Sequence, residues 1–290
     1  MTAAADETSL PADIALGAVS LTVSDLDAVV SFYERAIGLQ VVERSDGSAR
    51  LGVEAGRPLV ELVEEPGAPS PTPWGSGLFH LALLVPSRAE LARGLRRVTD
   101  AGGRFTGASD HLVSEALYLN DPEGNGIEIY RDRPREEWQH AGGEVQMSTL
   151  ALDLDAVMAE LPAGDGSDGL PTETLMGHVH LSVADLAETE AFYAGVLGLD
   201  VTVRSYPGAL FLSAGGYHHH LGVNTWTSAG APAPPPGTRG LRGFEIVLPG
   251  ADEARRAAER LARAGSVTEA TDDAVVAVDP SGNRLRLAVA

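Results

Sequence analysis

Apolar residues of this chain alternate with other residues in short stretches, and apolar residues at helical spacing follow. The stretch Val19–Val23 places an apolar residue at every second position, as in a strand with one buried face. Leu26, Val29 and Tyr33 then recur at helical spacing, and Gly38 stands where that helix would end. The pattern predicts a strand followed by a short helix.

The same pattern returns further along the chain. Asp185-Leu-Ala-Glu-Thr-Glu-Ala-Phe192 repeats Asp25-Leu-Asp-Ala-Val-Val-Ser-Phe32, and each Asp is placed to cap a helix. Weaker copies begin near residues 78 and 242, and short strands bounded by turn residues follow every helix. We therefore predict an α+β fold built from four β-α-β-β-β modules, at 14–65, 77–132, 176–227 and 240–290.

The connections divide these modules into two halves. Residues 1–13 are small and polar and are predicted to be a disordered tail. Modules one and two fill 14–132, a linker with one helix at 154–161 fills 133–175, and modules three and four fill 176–290. A flexible stretch is predicted at Gly164–Gly169, and the proline run at 231–237 is predicted to be a spacer.

The composition limits which metal ligands and which partners can be expected. The chain has 290 residues, no cysteine and a formal net charge of −20. A metal site would therefore use His, Asp or Glu, and phosphate backbones would be repelled, so nucleic acid is not an expected partner. No apolar run approaches the roughly 20 residues that cross a bilayer, so we expect no membrane partner and a cytoplasmic location.

Two pairs of motifs carry a resemblance to a known family. Met176-Gly-His-Val-His-Leu-Ser-Val-Ala-Asp-Leu186 matches residues 16–26, and Asp121-Pro-Glu-Gly-Asn-Gly-Ile-Glu128 matches residues 279–286. With the Phe-Tyr…Gly-Leu segments, these motifs resemble the vicinal oxygen chelate superfamily of glyoxalase I, bleomycin-resistance proteins and extradiol ring-cleaving dioxygenases. The resemblance implies a fold in which two modules together form a cup around a divalent metal.

The resemblance also implies the ligand positions. A module of this superfamily can offer a His from its first strand and a Glu from its last. Module two keeps both, as His80 and Glu128, and module three keeps His178. At the Glu position, module three has Leu221 or Gly222. At the His and Glu positions, module one has Ala18 and Glu61, and module four has Gly243 and Arg286. None of these three modules keeps both ligands.

Two histidines and one carboxylate form the facial ligand set of non-haem Fe(II) enzymes, which leaves positions open for substrate and oxygen. Mn(II) accepts the same set. The site requires modules two and three to pair, within one chain or across a dimer. His180 lies two residues after His178 and is an alternative ligand, although the family register favours His178.

The resemblance further suggests the catalytic residues. His219, in a predicted strand ahead of Leu221-Gly-Val223, would be the acid–base residue, because the pKa of histidine lies near neutral pH. Strand alternation would point His219 away from its neighbours, whose expected place is a solvated or interface face. Tyr118 and His111 would donate hydrogen bonds to substrate oxygens, and His180 and Asn224 are expected to bind substrate.

The activity implied is that of an extradiol, catechol 2,3-dioxygenase-like oxidoreductase that inserts O₂ into a catechol. A glyoxalase-like lyase or isomerase is an alternative, but it would want a fourth ligand where Leu221 and Gly222 stand. A metal-free, drug-sequestering binding protein is another alternative. The identity of the catechol and the oligomeric state, including a homo-oligomer, stay open.

Overall fold

A computed structural model describes residues 9–53, 57–164, 169–271 and 274–290. The first module shows how the local sequence sets the elements. Asp25 caps its helix by accepting a hydrogen bond from the backbone N–H of Ala28, and Gly38 ends it with φ +88°, a conformation that suits glycine. This module comprises β1 (Ala15–Val23), α1 (Leu26–Phe32), a π-helical turn (Tyr33–Ile37), β2 (Gln40–Ser45), β3 (Ser48–Gly52) and β4 (Pro58–Glu64).

The second and third modules repeat this order on either side of the linker. Module two comprises β5 (Gly77–Leu84), α2 (Arg88–Asp100), β6 (Phe105–Asp110), β7 (Ser114–Asn120) and β8 (Gly126–Asp132). The linker contains a 3₁₀ turn (Arg135–Glu137), β9 (His140–Ala141), β10 (Glu144–Val145), β11 (Leu150–Ala151) and α3 (Leu154–Met158). Module three comprises β12 (Leu175–Ser182), α4 (Leu186–Glu190), a π-helical turn (Ala191–Leu197), β13 (Asp200–Val203), β14 (Ala209–Ser213) and β15 (Leu221–Asn224).

The fourth module completes the repeat. It comprises β16 (Gly240–Leu248), α5 (Ala251–Arg263), β17 (Val267–Ala270), β18 (Val275–Val278) and β19 (Arg284–Val289). The α+β class and the repeated β-α-β-β-β order agree with the sequence prediction. Among the described residues, we find no helix with the length and apolar character needed to span a membrane.

The modules pair across the halves of the chain. One sheet has the strand order β11-β6-β7-β8-β5-β12-β15-β14-β13, so module two continues directly into module three. The other has the order β17-β18-β19-β16-β1-β4-β3-β2 and joins modules four and one. The seam of the first sheet is the antiparallel pair β5–β12, in which His80 lies opposite His180. The required contact between modules two and three is therefore made within one chain.

A continuous apolar core ties the two sheets together. It includes Val19 and Ile246 from one sheet and Leu81 and Val179 from the other, all 1% exposed or less. Fully buried aliphatic side chains of this kind each contribute about 1.5–3 kcal/mol relative to solvent exposure. The core thereby fixes the sheet that carries the candidate ligands.

The ends and connections differ in detail from the sequence prediction. Leu10 lies inside the predicted tail, yet it is buried and its N–H donates to the carbonyl of Gly198, so packed structure begins before residue 14. The linker helix ends at Met158, earlier than predicted. Residues 1–8 of the predicted tail and 165–168 of the predicted flexible stretch lie outside the described residues.

Gly177 allows the seam to close. A Cβ atom at this position would lie 1.9 Å from the hydroxyl oxygen of Tyr130 and 2.9 Å from the Cβ of Leu84, which leaves no space for a side chain. Since Gly177 immediately precedes His178, close approach of β12 to its neighbours and the placement of a candidate ligand depend on the same residue.

We predict that Gly177→Ala destabilises the protein by about 1–3 kcal/mol, because the added methyl group overpacks the seam. Urea unfolding followed by far-UV circular dichroism would measure the change. Gly195→Ala is the matched control, since a Cβ there meets nothing within 4 Å, and it should be neutral or slightly stabilising. Equal stability of the two variants would contradict the prediction.

Candidate metal centre

Three adjacent strands place the candidate ligands on one face of the sheet. His178 of β12 and Glu128 of β8 both lie opposite Ala82 of β5, and His80 lies two residues before Ala82 on the same face. Ala82 presents only a methyl group at the centre of this arrangement. The small side chain leaves the three larger ones room to converge above it.

The ligand-type atoms form a compact triangle. Nε2 of His80 lies 2.9 Å from Oε2 of Glu128, Nε2 of His178 lies 3.1 Å from the same oxygen, and the two imidazole nitrogens are 3.2 Å apart. All three residues are buried. Among the residues that the structure describes, His80, Glu128 and His178 form one group of acidic and histidine side chains whose ligand atoms are close enough together to hold a single ion.

The ionisation of this group suits a cation. Burial lowers the pKa of His178 to about 4 despite the nearby carboxylate, so its ring is neutral at pH 7. Burial alone would raise the pKa of Glu128, but the attraction and hydrogen bonds of His178 and His80 outweigh it and hold that pKa well below the usual range. Metal ligands must be deprotonated, and these two residues are.

The spacing also fits a divalent metal. Ligand atoms about 2.1 Å from an ion and 90° apart are separated by about 3.0 Å, and the observed separations are 2.9–3.2 Å. Nitrogen and oxygen donors arranged on one face match the 2-His-1-carboxylate set of non-haem iron sites. The residues present therefore fit a metal of this class.

The triangle opens into a cavity of about 380 Å³, a size typical of small-molecule sites. His80 and Glu128 reach the cavity from one side, and Phe79, Phe211 and Trp226 contribute aromatic walls. Phe79 and Trp226 are partly exposed and line this space. A flat ring can thus be held beside the candidate ligands.

Tyr118 and His111 also line the cavity and bond to each other. Nδ1 of His111 donates to the carbonyl oxygen of Ser148 at 2.7 Å, which leaves Nε2 of the neutral ring to accept from the Tyr118 hydroxyl at 2.6 Å. Tyr118 lies directly opposite Glu128 in the β7–β8 pair, and burial followed by that carboxylate raises its pKa well above 10. The hydroxyl therefore keeps its proton as a donor.

His219 lies against the triangle, but not on a strand. Its ring centroid is 4.2 Å from that of His178, and the residue lines the cavity. The predicted strand geometry is wrong here: residues 214–220 form a turn before β15, because two glycines with positive φ bend the chain. Strand alternation consequently does not apply, and His218 is buried beside His219 instead of facing solvent.

His180 and Asn224 have different surroundings. His180 lines the cavity, and its buried Nε2 has no hydrogen-bond partner within the described ranges. Gly222 makes room for it, because a Cβ there would lie 2.9 Å from Cγ of His180. Asn224 is fully buried and is not among the residues that line the cavity; its side-chain oxygen accepts a hydrogen bond from the N–H of Trp226, so it orders a cavity wall.

The corresponding face of the other sheet is built differently. Arg286 stands where module two has Glu128, and it forms an ion pair with Glu245. The same glutamate accepts a hydrogen bond from the N–H of Ala18 at 3.2 Å. An arginine at the centre of this face would repel a cation, so the candidate centre belongs to modules two and three.

Comparison with known proteins agrees with this architecture. The family model of the Glyoxalase/Bleomycin resistance protein/Dioxygenase superfamily matches residues 15–129 and 175–287. The chain is 43% identical over 278 residues to a catechol-2,3-dioxygenase of Bacillus subtilis (strain 168), an alignment covering 94% of this chain and 96% of the relative. It is 29% identical over 129 residues to biphenyl-2,3-diol 1,2-dioxygenase 3 of Rhodococcus globerulus, covering 43% and 68%.

A solved structure supports the fold independently. Glyoxalase I from Zea mays aligns with a TM-score of 0.59 at 16% identity, covering 96% of this chain and 92% of the plant protein. At this identity the likeness concerns the fold alone.

We predict one divalent ion per chain at this centre. Removing any one ligand by His80→Ala, Glu128→Gln or His178→Ala should weaken binding by at least about 100-fold, because each supplies one of three donor atoms. Anaerobic titration calorimetry with Fe(II) or Mn(II) would measure the affinities. His140→Ala, at an exposed linker position, is the control and should bind like the wild type. Equal loss in that control would contradict the assignment.

The lowered pKa of His178 predicts a stability change with pH. Below pH 6.5 an unfolded histidine takes up a proton, whereas the folded His178 stays neutral down to about pH 4. Stability of the metal-free protein should therefore be greatest above pH 6.5 and fall toward pH 4, with His178 accounting for about 3 kcal/mol. Urea unfolding at pH 7 and 4.5 should show a smaller difference for His178→Gln than for wild type.

Proposed function

The chain belongs to the Glyoxalase/Bleomycin resistance protein/Dioxygenase superfamily, and on that premise we propose that it is an extradiol dioxygenase that opens a catechol ring with O₂. The observation that carries the proposal is the buried triangle of His80, His178 and Glu128 beside an aromatic-walled cavity. The 43% identity to a catechol-2,3-dioxygenase over almost its whole length supports the same reaction class.

His80, His178 and Glu128 would hold Fe(II), or Mn(II), which accepts the same donors. The chemistry that this metal supplies, when bound, is joint activation of a catechol and O₂ at its open positions. The ring bond next to the two hydroxyl-bearing carbons breaks, and both oxygen atoms enter the product. The side chains around the metal direct this outcome.

His219 is the acid–base residue of the proposal. It lines the cavity beside His178, and burial lowers its pKa well below 6.5, so the neutral ring can accept the proton that a catechol hydroxyl loses on binding. The protonated ring can then return that proton as the product forms. Neither step requires a proton from bulk water.

Tyr118 and His111 are a hydrogen-bonded pair that lines the cavity. The Tyr118 hydroxyl, ordered by His111, is a protonated donor close to Glu128. In the structure its single hydrogen goes to Nε2 of His111, so on substrate binding this hydrogen would turn to a substrate oxygen, where it can stabilise developing negative charge. The aromatic walls would exclude water and hold the ring flat, and His180 packs against both the Phe79 and the Trp226 rings.

A glyoxalase-like reaction is less consistent with the site. A fourth ligand from module three would have to replace Gly222, but the ring of His180 fills the space that its side chain would need. A metal-free sequestering protein does not explain why an ionised carboxylate and two imidazoles are buried within 3.2 Å of one another. The triangle thus favours the dioxygenase.

The test is oxygen consumption. Protein loaded anaerobically with Fe(II) and given catechol should consume one O₂ per catechol and form a coloured ring-opened product, both measurable with an oxygen electrode and absorbance. Glu128→Gln should abolish turnover with loss of the metal. His219→Gln should keep the metal and lower kcat by about 10²- to 10⁴-fold, because it removes the acid–base group.

The controls separate this function from its alternatives. His140→Gln, at an exposed position, should turn over catechol like the wild type. Turnover of a methylglyoxal hemithioacetal without oxygen uptake would instead identify an isomerase. Wild-type protein that takes up no Fe(II) or Mn(II), and binds aromatic compounds unchanged, would identify a sequestering protein.

A further inference from the structure

A buried hydrogen-bonded chain runs from His219 to the protein surface. Nδ1 of His219 lies 2.7 Å from Nδ1 of His218, and Nε2 of His218 lies 2.8 Å from Oδ1 of Asp132. His218 has no solvent-exposed surface, whereas the Asp132 carboxylate is 24% exposed. The three groups come from two modules, since Asp132 ends β8.

The direction of each bond follows from the acceptor at its end. A carboxylate has no hydrogen to donate, so Nε2 of His218 must carry the hydrogen of that bond. A neutral imidazole carries one N–H, which makes Nδ1 of His218 an acceptor and obliges Nδ1 of His219 to donate. Nε2 of His219 is then left with a free lone pair on a residue that lines the cavity.

We propose that Asp132 and His218 are positioning residues that fix the tautomer of His219, so that Nε2 enters the cavity as a hydrogen acceptor. The catalytic meaning of this arrangement rests on the proposed function, but the tautomer itself does not. A His219 ring with the opposite tautomer would present an N–H to the cavity and could not accept a substrate proton there.

The surroundings of His218 hold its ring in place for this task. Tyr217 stacks against it with ring centroids 4.1 Å apart, and Trp138 lies 5.2 Å away on the linker. The Tyr217 hydroxyl reaches Asp132 at 3.3 Å, which agrees with Asp132 accepting hydrogen bonds. Packing therefore fixes the plane of the imidazole, and Asp132 decides which nitrogen carries the hydrogen.

His111 shows the same device on the other side of the cavity. There a backbone carbonyl, that of Ser148, accepts from Nδ1 and leaves Nε2 as the acceptor. In both histidines, an acceptor outside the cavity holds the hydrogen on Nδ1, and Nε2 is left as a hydrogen-bond acceptor. The difference is that a charged side chain performs this role for His219.

The test is nitrogen NMR of metal-free protein labelled with ¹⁵N-histidine, with His219 assigned from a His219→Gln variant. In the wild type we expect a pyridine-like Nε2 and a pyrrole-like Nδ1 for His219, and the reverse nitrogens for His218. A pyrrole-like Nε2 of His219, or a doubly protonated His218, would overturn the proposal. This measurement does not depend on catechol turnover or on bound metal.

Variants test the role of Asp132 directly. Asp132→Ala should move both His219 nitrogen signals toward values averaged over two tautomers, and Asp132→Glu should restore the wild-type pattern at least in part. Tyr217→Phe keeps the stacked ring and removes only the hydroxyl, so it should leave the tautomer unchanged. An unaltered His219 signal in folded Asp132→Ala would refute the positioning role.

Turnover provides a second readout. Asp132→Ala should lower kcat for catechol at least about tenfold, with metal content and KM close to wild type, because the wrong tautomer is present for part of the time. Loss of metal with loss of activity would instead indicate a general structural effect and count against the proposal. If wild-type protein fails to turn over catechol, the proposed function fails while the NMR result still decides the tautomer.

Discussion

The antiparallel contact between β5 and β12 is the constraint on which the site depends. It joins module two to module three and places His178 and Glu128 on either side of Ala82, in one row across three strands. A shift of one residue would turn a ligand to the opposite face of the sheet, because side chains alternate along a strand. Gly177 lets the strands approach closely, and the apolar core beneath holds them there.

The second sheet shows that this architecture does not by itself make a metal site. Modules one and four meet through the equivalent pair β1–β16, and a groove of about 390 Å³ lies on the corresponding face. There Glu245 stands beside Arg286, and the ion pair between them replaces the acidic and imidazole donors. The duplicated scaffold is kept by its core, whereas the chemistry depends on a few positions that point into the cup.

The family resemblance implied the convergence of His80, His178 and Glu128, and the described structure brings these three residues together. Sequence patterns predicted the repeated elements, because strand–helix periodicity and repeated motifs record local geometry. They failed around His219, where the strand prediction was wrong: Gly215 and Gly216 start a turn, and turn geometry depends on dihedral angles that residue type only partly specifies. The contact of His218 with Asp132 joins residues 86 positions apart, which no local pattern reports.

The charges at the centre link binding to folding. Glu128 is buried, and the attraction and hydrogen bonds of His178 and His80 keep its carboxylate ionised in the folded protein. The fold therefore holds the three candidate ligands together before any ion binds. A divalent cation would bind this folded arrangement in preference to the unfolded chain, which does not hold the donors together, and binding would stabilise the fold. The same burial that keeps the donors together places them beside a cavity with aromatic walls.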